Sequence, residues 1–392
     1  MKAPSTDERG AERPARPSGP LPGSDRPTAA HIDLAALEHN YREAVRCADG
    51  RKVLVVVKAR AYGHGATTVA RHLLKQGADM LGVAIVEEGR ELREAGISAP
   101  VLVMGPLFPA QAAAVVALRL TPAVYSMSFA LALSQAARER NTRVSVHVKI
   151  DTGMGRIGIP PETAPDFIAD LERLGNIDVE GLMTHFADAD LRDKAFASEQ
   201  MDRFEALLKT LDDRGTRIPL RHAANSAAVL DFRRALFTMV RPGLMLYGYN
   251  PLEAGLDKAD LMPVLSLVTR IAFLKHVPAG VPISYGRTFT TRRESVIATL
   301  PIGYADGYSR GLSNKAEALV RGERAPVVGR VCMDMCMIDV TGVAGVREGD
   351  EVALIGGQGR ERITADELAE KTGTISYEVL CGIGARVPRI YD

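Results

Sequence analysis

The fold is decided by the stretch Val53-Leu-Val-Val-Val57-Lys58-Ala-Arg-Ala-Tyr62-Gly-His-Gly65. Its five consecutive apolar residues, four of them valine, predict a strand that is buried on both faces, as in a parallel sheet. A lysine ends the strand, and a glycine-containing loop follows. Folds built on parallel sheets place their chemistry at this carboxyl end of the strands.

Lys58 is therefore a candidate for chemistry. An amine in a partly desolvated site has a lowered pKa and becomes a nucleophile. Such an amine can form a Schiff base with a carbonyl, including the aldehyde of pyridoxal phosphate. A strand-end lysine can also simply extend its charged end into water. The lysine alone does not separate these two interpretations, so the rest of the chain has to decide.

The composition is that of an ordinary globular protein. The 392 residues are 46% hydrophobic and 25% charged, and the net charge is +1. This balance gives no indication of a nucleic-acid or membrane partner, and no segment approaches the ~20 apolar residues of a membrane span. The four cysteines are too few for a disulfide scaffold and fit a reducing cytoplasm. Residues 1–28 are rich in Pro, Gly, Arg, Ser and Asp and predict a disordered tail.

Strand-like and helix-like segments alternate through residues 29–262, and the pattern changes in residues 263–392. Helical patterns are clearest at 127–140 and 195–213. Eight strand–helix units in about 200 residues predict an α/β fold, a (β/α)8 barrel like that of TIM, with a doubly wound sheet as the alternative. Residues 263–392 have alternating apolar runs, which predict a mainly β domain with one short helix at 364–371. The eight predicted barrel strands are 53–57, 80–84, 101–104, 121–125, 144–149, 179–183, 220–224 and 239–247.

Polar residues follow several of these strands and are expected at the same end of the barrel. Lys149 lies in the fifth strand and Arg156 in the loop beyond it. Two cations at this end of the barrel can bind a carboxylate, and the alternative is that they are ordinary charges at the end of a strand. His185 follows the sixth strand, either as a core histidine or as a catalyst. Its neighbours Asp188 and Asp190 give only a weak indication of a metal site.

Two loops suit a phosphate group. Ser226 follows the seventh predicted strand, and Gly243 lies within the eighth. Loops at these places in (β/α)8 barrels often bind phosphate, and glycine permits close backbone approach. Ser226 alternatively caps the next helix. The motif Gly153-Met-Gly-Arg-Ile-Gly158 matches a dinucleotide fingerprint, but it follows the fifth strand instead of opening a first βα turn, which disfavours that interpretation.

Taken together, these segments resemble the alanine racemases, pyridoxal-phosphate enzymes of the bacterial cell-wall pathway. The resemblance extends from about residue 29 to residue 392 and implies a barrel followed by a β domain, with the first strand, at about 31–34, joining the β domain. It implies reversible interconversion of L-alanine and D-alanine, with D-alanine supplied for peptidoglycan. The matching segments, in family order, are Val-Val-Val-Lys-Ala-Arg-Ala-Tyr-Gly-His-Gly, Lys-Ile-Asp-Thr-Gly-Met-Gly-Arg, Thr-His-Phe-Ala, Ala-Asn-Ser-Ala, Arg-Pro-Gly-Leu, Ser-Tyr-Gly-Arg-Thr-Phe, Gly-Tyr-Ala-Asp-Gly-Tyr, Cys-Met-Asp and Tyr-Glu-Val-Leu-Cys.

The resemblance also implies the catalytic roles. Lys58 would bind the cofactor and act as one base, and Tyr285 from the second subunit would be the other base on the opposite face. A homodimer with shared active sites follows, without a metal. Arg241 would face the pyridine nitrogen of the cofactor, and His185 would lie against that tyrosine. Because a guanidinium is donor-only, it would leave the pyridine nitrogen unprotonated.

The remaining site residues are also implied by the resemblance. Arg156 and the backbone N–H of Met333, the latter from the second subunit, would hold the substrate carboxylate. Lys149 corresponds to a lysine that is often carbamylated in the family. Arg60 stands where the family usually has Asn or Asp. The phosphate would be held by Tyr62, Ser226, Gly243, Leu244 and Tyr377. The entrance would be lined by Tyr285 and Tyr377, with Asp190, Arg310 and Arg330 further out.

Three other functions are weighed against this one. A racemase for serine or a broader set of amino acids is the main alternative, although the ring of Tyr377 should narrow the pocket against large substrates. A decarboxylase of the same fold is disfavoured by Arg241, because those relatives have an acidic residue at the pyridine nitrogen. A cofactor carrier is disfavoured by residues 262–392, because such proteins lack the β domain.

Overall fold

The structure is a computed structural model that describes residues 26–256 and 259–392. Residues 1–25 of the predicted tail lie outside the described residues. Of the last three tail residues, Arg26 donates to both carboxylate oxygens of Asp306, and Thr28 is buried. The chain divides into two compact units. One comprises residues 32–264 with 391–392, and the other comprises residues 265–390 with the segment that ends at His31.

The first of these units contains an eight-stranded parallel barrel. The strand that precedes it, β1 (Ala29–Ile32), belongs to a different sheet. Strands pair in chain order from the second to the eighth, and the ninth returns to pair with the second. Backbone hydrogen bonds from Thr238 N to Arg221 O (3.0 Å) and from Arg241 N to Ala224 O (2.9 Å) link the last two strands. The barrel strands are β2 (Lys52–Val56), β3 (Met80–Val83), β4 (Val101–Val103), β5 (Thr121–Val124), β6 (Val144–Lys149), β7 (Ile177–Met183), β8 (Leu220–His222) and β9 (Met239–Val240).

This strand order distinguishes the two architectures that the sequence left open. A doubly wound sheet reverses its strand order at a switch point, whereas this sheet runs in chain order and returns to its start. The predicted barrel is therefore confirmed, and the doubly wound alternative is wrong. The strands of this barrel are largely buried, and Leu54, Leu81, Leu102 and Val146 are fully buried.

Helices separate the strands along the chain. The helices predicted at 127–140 and 195–213 are present as the sixth and eighth of the series. Asp33 caps the first helix by accepting a hydrogen bond from Ala36 N (2.9 Å), so the first strand ends at Ile32 rather than near residue 34. The helices are α1 (Leu34–Ala48), α2 (Lys58–Tyr62), α3 (Ala66–Lys75), α4 (Val86–Glu94), α5 (Ala112–Ala117), α6 (Met127–Glu139), α7 (Ala164–Arg173), α8 (Ala195–Asp213) and α9 (Ser226–Asp231).

One predicted strand is too long. The apolar run 239–247 forms a strand only over Met239–Val240, and Leu244–Tyr247 is a 3-10 turn. The backbone leaves the sheet because Gly243 N and Met245 N donate to the Ser226 hydroxyl, at 2.8 and 3.4 Å, instead of to a neighbouring strand. The strand prediction beyond Val240 was therefore wrong.

The second unit is mainly β, as predicted. Its largest sheet has the order β16-β15-β18-β10-β1-β20, with β19 paired to β18, and it is accompanied by the sheet β11-β14-β17 and the hairpin β12-β13. The apolar run 327–340 forms a strand only at its end, and residues 328–335 are a loop. The strands are β10 (Leu265–Arg270), β11 (Phe273–Val277), β12 (Pro282–Ile283), β13 (Phe289–Thr290), β14 (Ser295–Leu300), β15 (Glu317–Val320), β16 (Glu323–Pro326), β17 (Cys336–Asp339), β18 (Glu351–Gln358), β19 (Glu361–Ile363) and β20 (Arg389–Tyr391).

Two helices complete this unit. Thr364 caps α10 (Ala365–Thr372) by accepting a hydrogen bond from Glu367 N (3.0 Å), which confirms the predicted helix. The second, α11 (Ser376–Gly382), was not predicted. Within the two described ranges, none of the helices combines the length and the hydrophobicity that crossing a membrane requires.

Candidate active site

Lys58 lies just beyond the carboxyl end of β2, where the sequence predicted it, and begins an unusual turn. The next four residues have positive φ angles: Ala59 (52°), Arg60 (56°), Ala61 (55°) and Tyr62 (52°). Each such residue costs roughly 1–2 kcal/mol when it carries a Cβ atom. The left-handed turn therefore needs support from outside, and it fixes the separation of Lys58 from Tyr62.

That support comes from Glu88 in the first turn of α4. One of its carboxylate oxygens accepts from Ala59 N (2.6 Å), and the other accepts from Ala84 N (2.7 Å) and Ile85 N (3.3 Å). Glu88 thereby ties the loop after β2 to the loop after β3. The side chain of Arg60 is exposed, so its cation does not pack into this turn.

Tyr62, at the far end of the turn, is packed into the barrel. It is buried, and its ring centroid lies 4.9 Å from that of Tyr247. The Tyr247 hydroxyl in turn donates to Val56 O (2.8 Å), at the end of the strand that leads to Lys58.

Ser226 and Gly243 lie together, as their predicted strand positions require. The Ser226 hydroxyl accepts from Gly243 N, so its own proton remains available as a donor. Gly243 is needed for close approach, because a Cβ atom there would lie 2.7 Å from the Tyr62 hydroxyl oxygen. The cap of α9 is Asn225, whose side chain accepts from Ala228 N (3.0 Å). The alternative role of Ser226 as a helix cap is therefore wrong.

Arg241 is buried and follows β9. Its NH2 atom donates to Thr184 O (2.8 Å) and Ala223 O (3.0 Å) and lies 3.1 Å from His185 Nδ1. Its NH1 atom lies 2.9 Å from His222 Nδ1. Burial lowers the pKa of Arg241 to about 10, so the guanidinium stays protonated at neutral pH. Nε forms no hydrogen bond with any residue the structure describes, so its N–H remains as a donor for a ligand.

The Nδ1 atoms of His185 and His222 face Arg241 as acceptors, since a guanidinium cannot accept. At NH2, His185 Nδ1 shares two protons with Thr184 O and Ala223 O. The Nδ1 atom of His185 is an acceptor, and in the neutral ring its proton lies on Nε2. Burial, and then the charges of Arg241 and Lys149, hold the pKa of His185 well below its usual range, so the ring is neutral.

Lys149 and Arg156 lie on either side of Asp151. Lys149 is only 2% exposed, and burial followed by the charges of Arg241 and Arg156 holds the pKa of its amine well below the usual range. Asp151 accepts hydrogen bonds from Gly153 N (3.0 Å) and Gly155 N (3.1 Å), which folds the loop that exposes Arg156. The glycine motif therefore shapes a loop, and helix α7 begins six residues after the motif ends.

The predicted site residues of the β unit are largely exposed. Tyr285 is 73% exposed and Met333 is 53% exposed. The two segments are joined, because the Ser284 hydroxyl donates to Arg330 O (2.7 Å). Arg310 is also exposed, while Tyr377 is partly buried in α11.

The remaining site predictions concern a metal and the outer barrel. Asp190 is exposed, and its carbonyl accepts from Glu253 N (2.9 Å). Among the residues that the structure describes, no group of three His, Cys, Asp or Glu side chains is arranged to hold a metal ion.

Sequence reasoning missed Glu88 and His222. Glu88 is one of several acidic residues in a polar helix, and nothing in the pattern marks its three backbone contacts. The sequence contained a weak indication of His222, because it is a polar residue within a predicted barrel strand. His147, which precedes Lys149 by two residues, carries the same signal.

The fold and the candidate site together define a class of protein. The chain is a barrel enzyme with a mainly β second unit, a lysine at the carboxyl end of a barrel strand, and a buried guanidinium among neutral imidazoles. Sequence comparison agrees: the family described as "Alanine racemase, N-terminal domain" matches residues 32–251, and "Alanine racemase, C-terminal domain" matches residues 264–391.

Individual relatives lead to the same family. The alanine racemase of Halothermothrix orenii is 51% identical over 93% of this chain and 97% of its own length. The alanine racemase of Desulfovibrio desulfuricans is 47% identical over 94% and 98%. The solved alanine racemase of Clostridium difficile 630 matches with a TM-score of 0.90 and 40% identity, over 94% of this chain and 96% of that one. The chain belongs to the alanine racemase family and is an amino-acid racemase, an isomerase.

Proposed function

We propose that this protein interconverts L-alanine and D-alanine with pyridoxal 5'-phosphate as cofactor and two bases on opposite faces of the substrate. The observation that carries the proposal is the position of Lys58 at the carboxyl end of β2 in the barrel that also buries Arg241. The related Bacillus anthracis enzyme, with a TM-score of 0.89 and 38% identity over 94% of this chain and 96% of its own, was solved with bound L-Ala-P.

The barrel residues fit this cofactor. Ser226 retains a hydroxyl proton beside Gly243, where the absence of a side chain lets the Tyr62 hydroxyl approach the backbone. The remaining Nε donor of Arg241 suits a pyridine nitrogen, which is an acceptor. Lys58 supplies the amine that binds an aldehyde. The full set proposed to hold the phosphate is Tyr62, Ser226, Gly243, Leu244 and Tyr377. When bound, the cofactor withdraws electrons from the substrate Cα atom and makes its proton acidic.

Different residues of the chain would transfer the Cα proton, bind the substrate and contact the cofactor. Lys58 removes or returns the Cα proton on one face, and the partner subunit's Tyr285 does so on the other. Arg156 and the backbone N–H of the partner subunit's Met333 bind the substrate carboxylate. Arg241 cannot give up its proton, so it leaves the ring nitrogen it faces unprotonated and moderates the electron withdrawal. The Nε2 proton of His185 is available to the tyrosine.

A homodimer with shared sites is part of the proposal. Tyr285 and Met333 are large side chains with apolar surface, yet both are more than half exposed on the single chain. Such surfaces are typical of interfaces with a second subunit. The outer residues Asp190, Arg310 and Arg330 would line the entrance. The reaction would supply D-alanine for peptidoglycan in the cytoplasm, a reducing compartment that the thiols of Cys47, Cys332 and Cys336 fit.

Turnover in deuterated water tests the reaction. The purified protein, saturated with cofactor, is incubated with L-alanine, and the enantiomers are separated by chiral chromatography. We expect D-alanine with deuterium at Cα. In the reverse reaction, started from D-alanine, we expect L-alanine with deuterium at Cα. Turnover of serine alone, or no D-alanine at all, would overturn the proposed substrate. Serine and lysine are run in parallel to rank the substrates.

A mixed dimer tests the shared site. Chains with Lys58→Ala and chains with Tyr285→Phe are co-expressed with different tags, and the dimer that carries both tags is purified. If each site takes one residue from each subunit, one of the two sites is intact and the mixed dimer has about half of the wild-type activity. Each pure variant dimer should be inactive or severely impaired. An inactive mixed dimer would show that both bases come from one chain.

A further inference from the structure

We propose that Arg241 is held in place through the barrel core by His222 and His147, whose imidazoles connect its charge to the Glu180 carboxylate at the other side of the core. Glu180 is then a positioning residue for the reaction proposed above, on which this inference rests. It acts through Arg241 and touches neither substrate nor cofactor.

The side chains of Arg241, His222, His147 and Glu180 follow one another in a continuous series, and the last three lie on the neighbouring strands β8, β6 and β7. Arg241 NH1 lies 2.9 Å from His222 Nδ1, and His222 Nε2 lies 2.8 Å from His147 Nδ1. His147 Nε2 has no hydrogen-bond partner among the described residues but faces Glu180 Oε1 at 3.3 Å. Both imidazoles are fully buried. Gly181, next to Glu180, leaves room for the series, because a Cβ atom there would overlap the His147 ring.

Donor chemistry gives this series one direction. The guanidinium only donates, so His222 Nδ1 accepts and the His222 proton lies on Nε2. That proton points at His147 Nδ1, which must accept, so the His147 proton also lies on Nε2. It is therefore directed at the carboxylate of Glu180. An imidazolium at either position would bring two donors face to face.

The ionisation of each group agrees with that direction. Burial lowers the pKa of both histidines, for His222 with added repulsion from Arg241, so both rings are neutral near pH 7. Burial raises the pKa of Glu180, but His147 and Ser145 outweigh it and the net shift is downward, so the side chain is a carboxylate. A cation at one end is thus balanced by an anion at the other.

This balance matters because Arg241 has no direct counter-charge. No Asp or Glu in the described ranges lies within ion-pair distance of its guanidinium, although the side chain is only 4% exposed. A buried charge without a partner is costly. Glu180 also lines a cavity of about 430 Å³ to which Lys52, Thr121 and other strand-start residues contribute. The series therefore runs from the amino-terminal end of the barrel to the site.

The first test measures the protons directly, on protein without substrate or cofactor. The chain has eight histidines, so labelling with 15N-histidine and recording long-range 1H–15N correlations gives a tractable spectrum. His147→Gln and His222→Gln assign the two signals. We expect both rings neutral with the proton on Nε2 at pH 7. An Nδ1–H tautomer or an imidazolium at either position would overturn the proposal.

The second test concerns Glu180. Glu180→Gln keeps a polar side chain of the same length facing His147 and removes the charge, so we expect kcat to fall roughly tenfold with KM little changed, and the absorption band of the bound cofactor to shift. Asp178→Asn is the matched control. It removes a partly exposed carboxylate of the same strand, paired with Arg143, and should leave kcat and the spectrum unchanged. Equal kcat in the two variants would remove Glu180 from the mechanism. If the wild-type protein has the expected tautomers but does not racemise alanine, the proposed function is contradicted, whereas the series from Arg241 to Glu180 is not.

Discussion

Lys149 shows how far a single residue can depart from its ordinary chemistry. A lysine amine is normally protonated, but this one is buried near Arg241 and Arg156, and its pKa lies well below the usual range. Asp151 acts in the opposite direction and does not offset burial. A neutral amine can attack carbon dioxide, forming an N–C bond and releasing a proton. The product is an anion near Arg156, in place of a neutral amine.

We therefore predict that Lys149 carries a carbamate in solution. Protein exchanged into 13C-bicarbonate at pH 8 should show one carbamate carbon resonance, which Lys149→Arg abolishes because a guanidinium does not react. In the same variant we expect KM for alanine to rise several-fold, since Arg156 loses the anion that orients it. Lys52→Arg is the control, because Lys52 is exposed and paired with Asp79. A carbamate signal that persists in Lys149→Arg would contradict the assignment.

At the scale of an element, the left-handed turn of α2 depends on Glu88. Glu88→Gln replaces one carboxylate oxygen with an NH2 group, which cannot accept. Either Ala59 N or the pair Ala84 N and Ile85 N then lacks its acceptor, at a cost of about 1–3 kcal/mol. We expect a lower unfolding temperature and weaker cofactor binding, because the turn sets the separation of Lys58 and Tyr62.

The neighbouring residue provides the control for this prediction. Glu87 is exposed on the same helix turn, so Glu87→Gln removes a charge without removing a backbone contact. Cofactor affinity is measured by titration of the cofactor-free protein, and unfolding by calorimetry. If both variants bind the cofactor as the wild type does, the turn does not depend on Glu88.

The same turn shows what the sequence could predict. The runs that form β2 to β5 are largely apolar, whereas β6 to β8 carry polar and charged residues among the apolar ones. The number and alternation of the strand and helix patterns indicated a barrel but left a doubly wound sheet as the alternative. Lys58-Ala-Arg-Ala-Tyr62 consists of residues that favour ordinary right-handed helix, and its left-handed form depends on a glutamate 26 or more residues further along the chain. The end of β9 was predicted wrongly for a similar reason. The hydroxyl of Ser226, which lies outside the apolar run, accepts hydrogen bonds from the backbone of Gly243 and Met245 and ends the strand. The candidate site residues were predicted from their position and from the resemblance, whereas Glu88 and His222, which contact Ala59 N and Arg241, were not predicted.

At the scale of the whole molecule, the buried histidines link stability to pH. His147 and His222 are fully buried, and their pKa values in the folded state lie below the ordinary value of ~6.5. The unfolded chain regains that value. The pKa of His185 is also held well below its usual range in the folded state, so three histidines share this behaviour. As pH falls through ~6.5, the unfolded state binds three protons that the folded state does not, so the free energy of unfolding decreases. The contribution is fully present above pH ~6.5 and is lost below it.

The magnitude of this loss follows from the number of sites. Three protons correspond to a slope of about 4.1 kcal/mol per pH unit below pH 6, which continues until the folded-state pKa values are reached. Urea unfolding of the cofactor-free protein at a fixed concentration, between pH 5 and 7.5, measures it. His147→Gln removes one of the three histidines that bind a proton on unfolding, so its slope should be smaller by about 1.4 kcal/mol per pH unit. Identical slopes in wild type and variant would mean that His147 is already protonated in the folded barrel, and the one-way series that ends at Glu180 would fail with it.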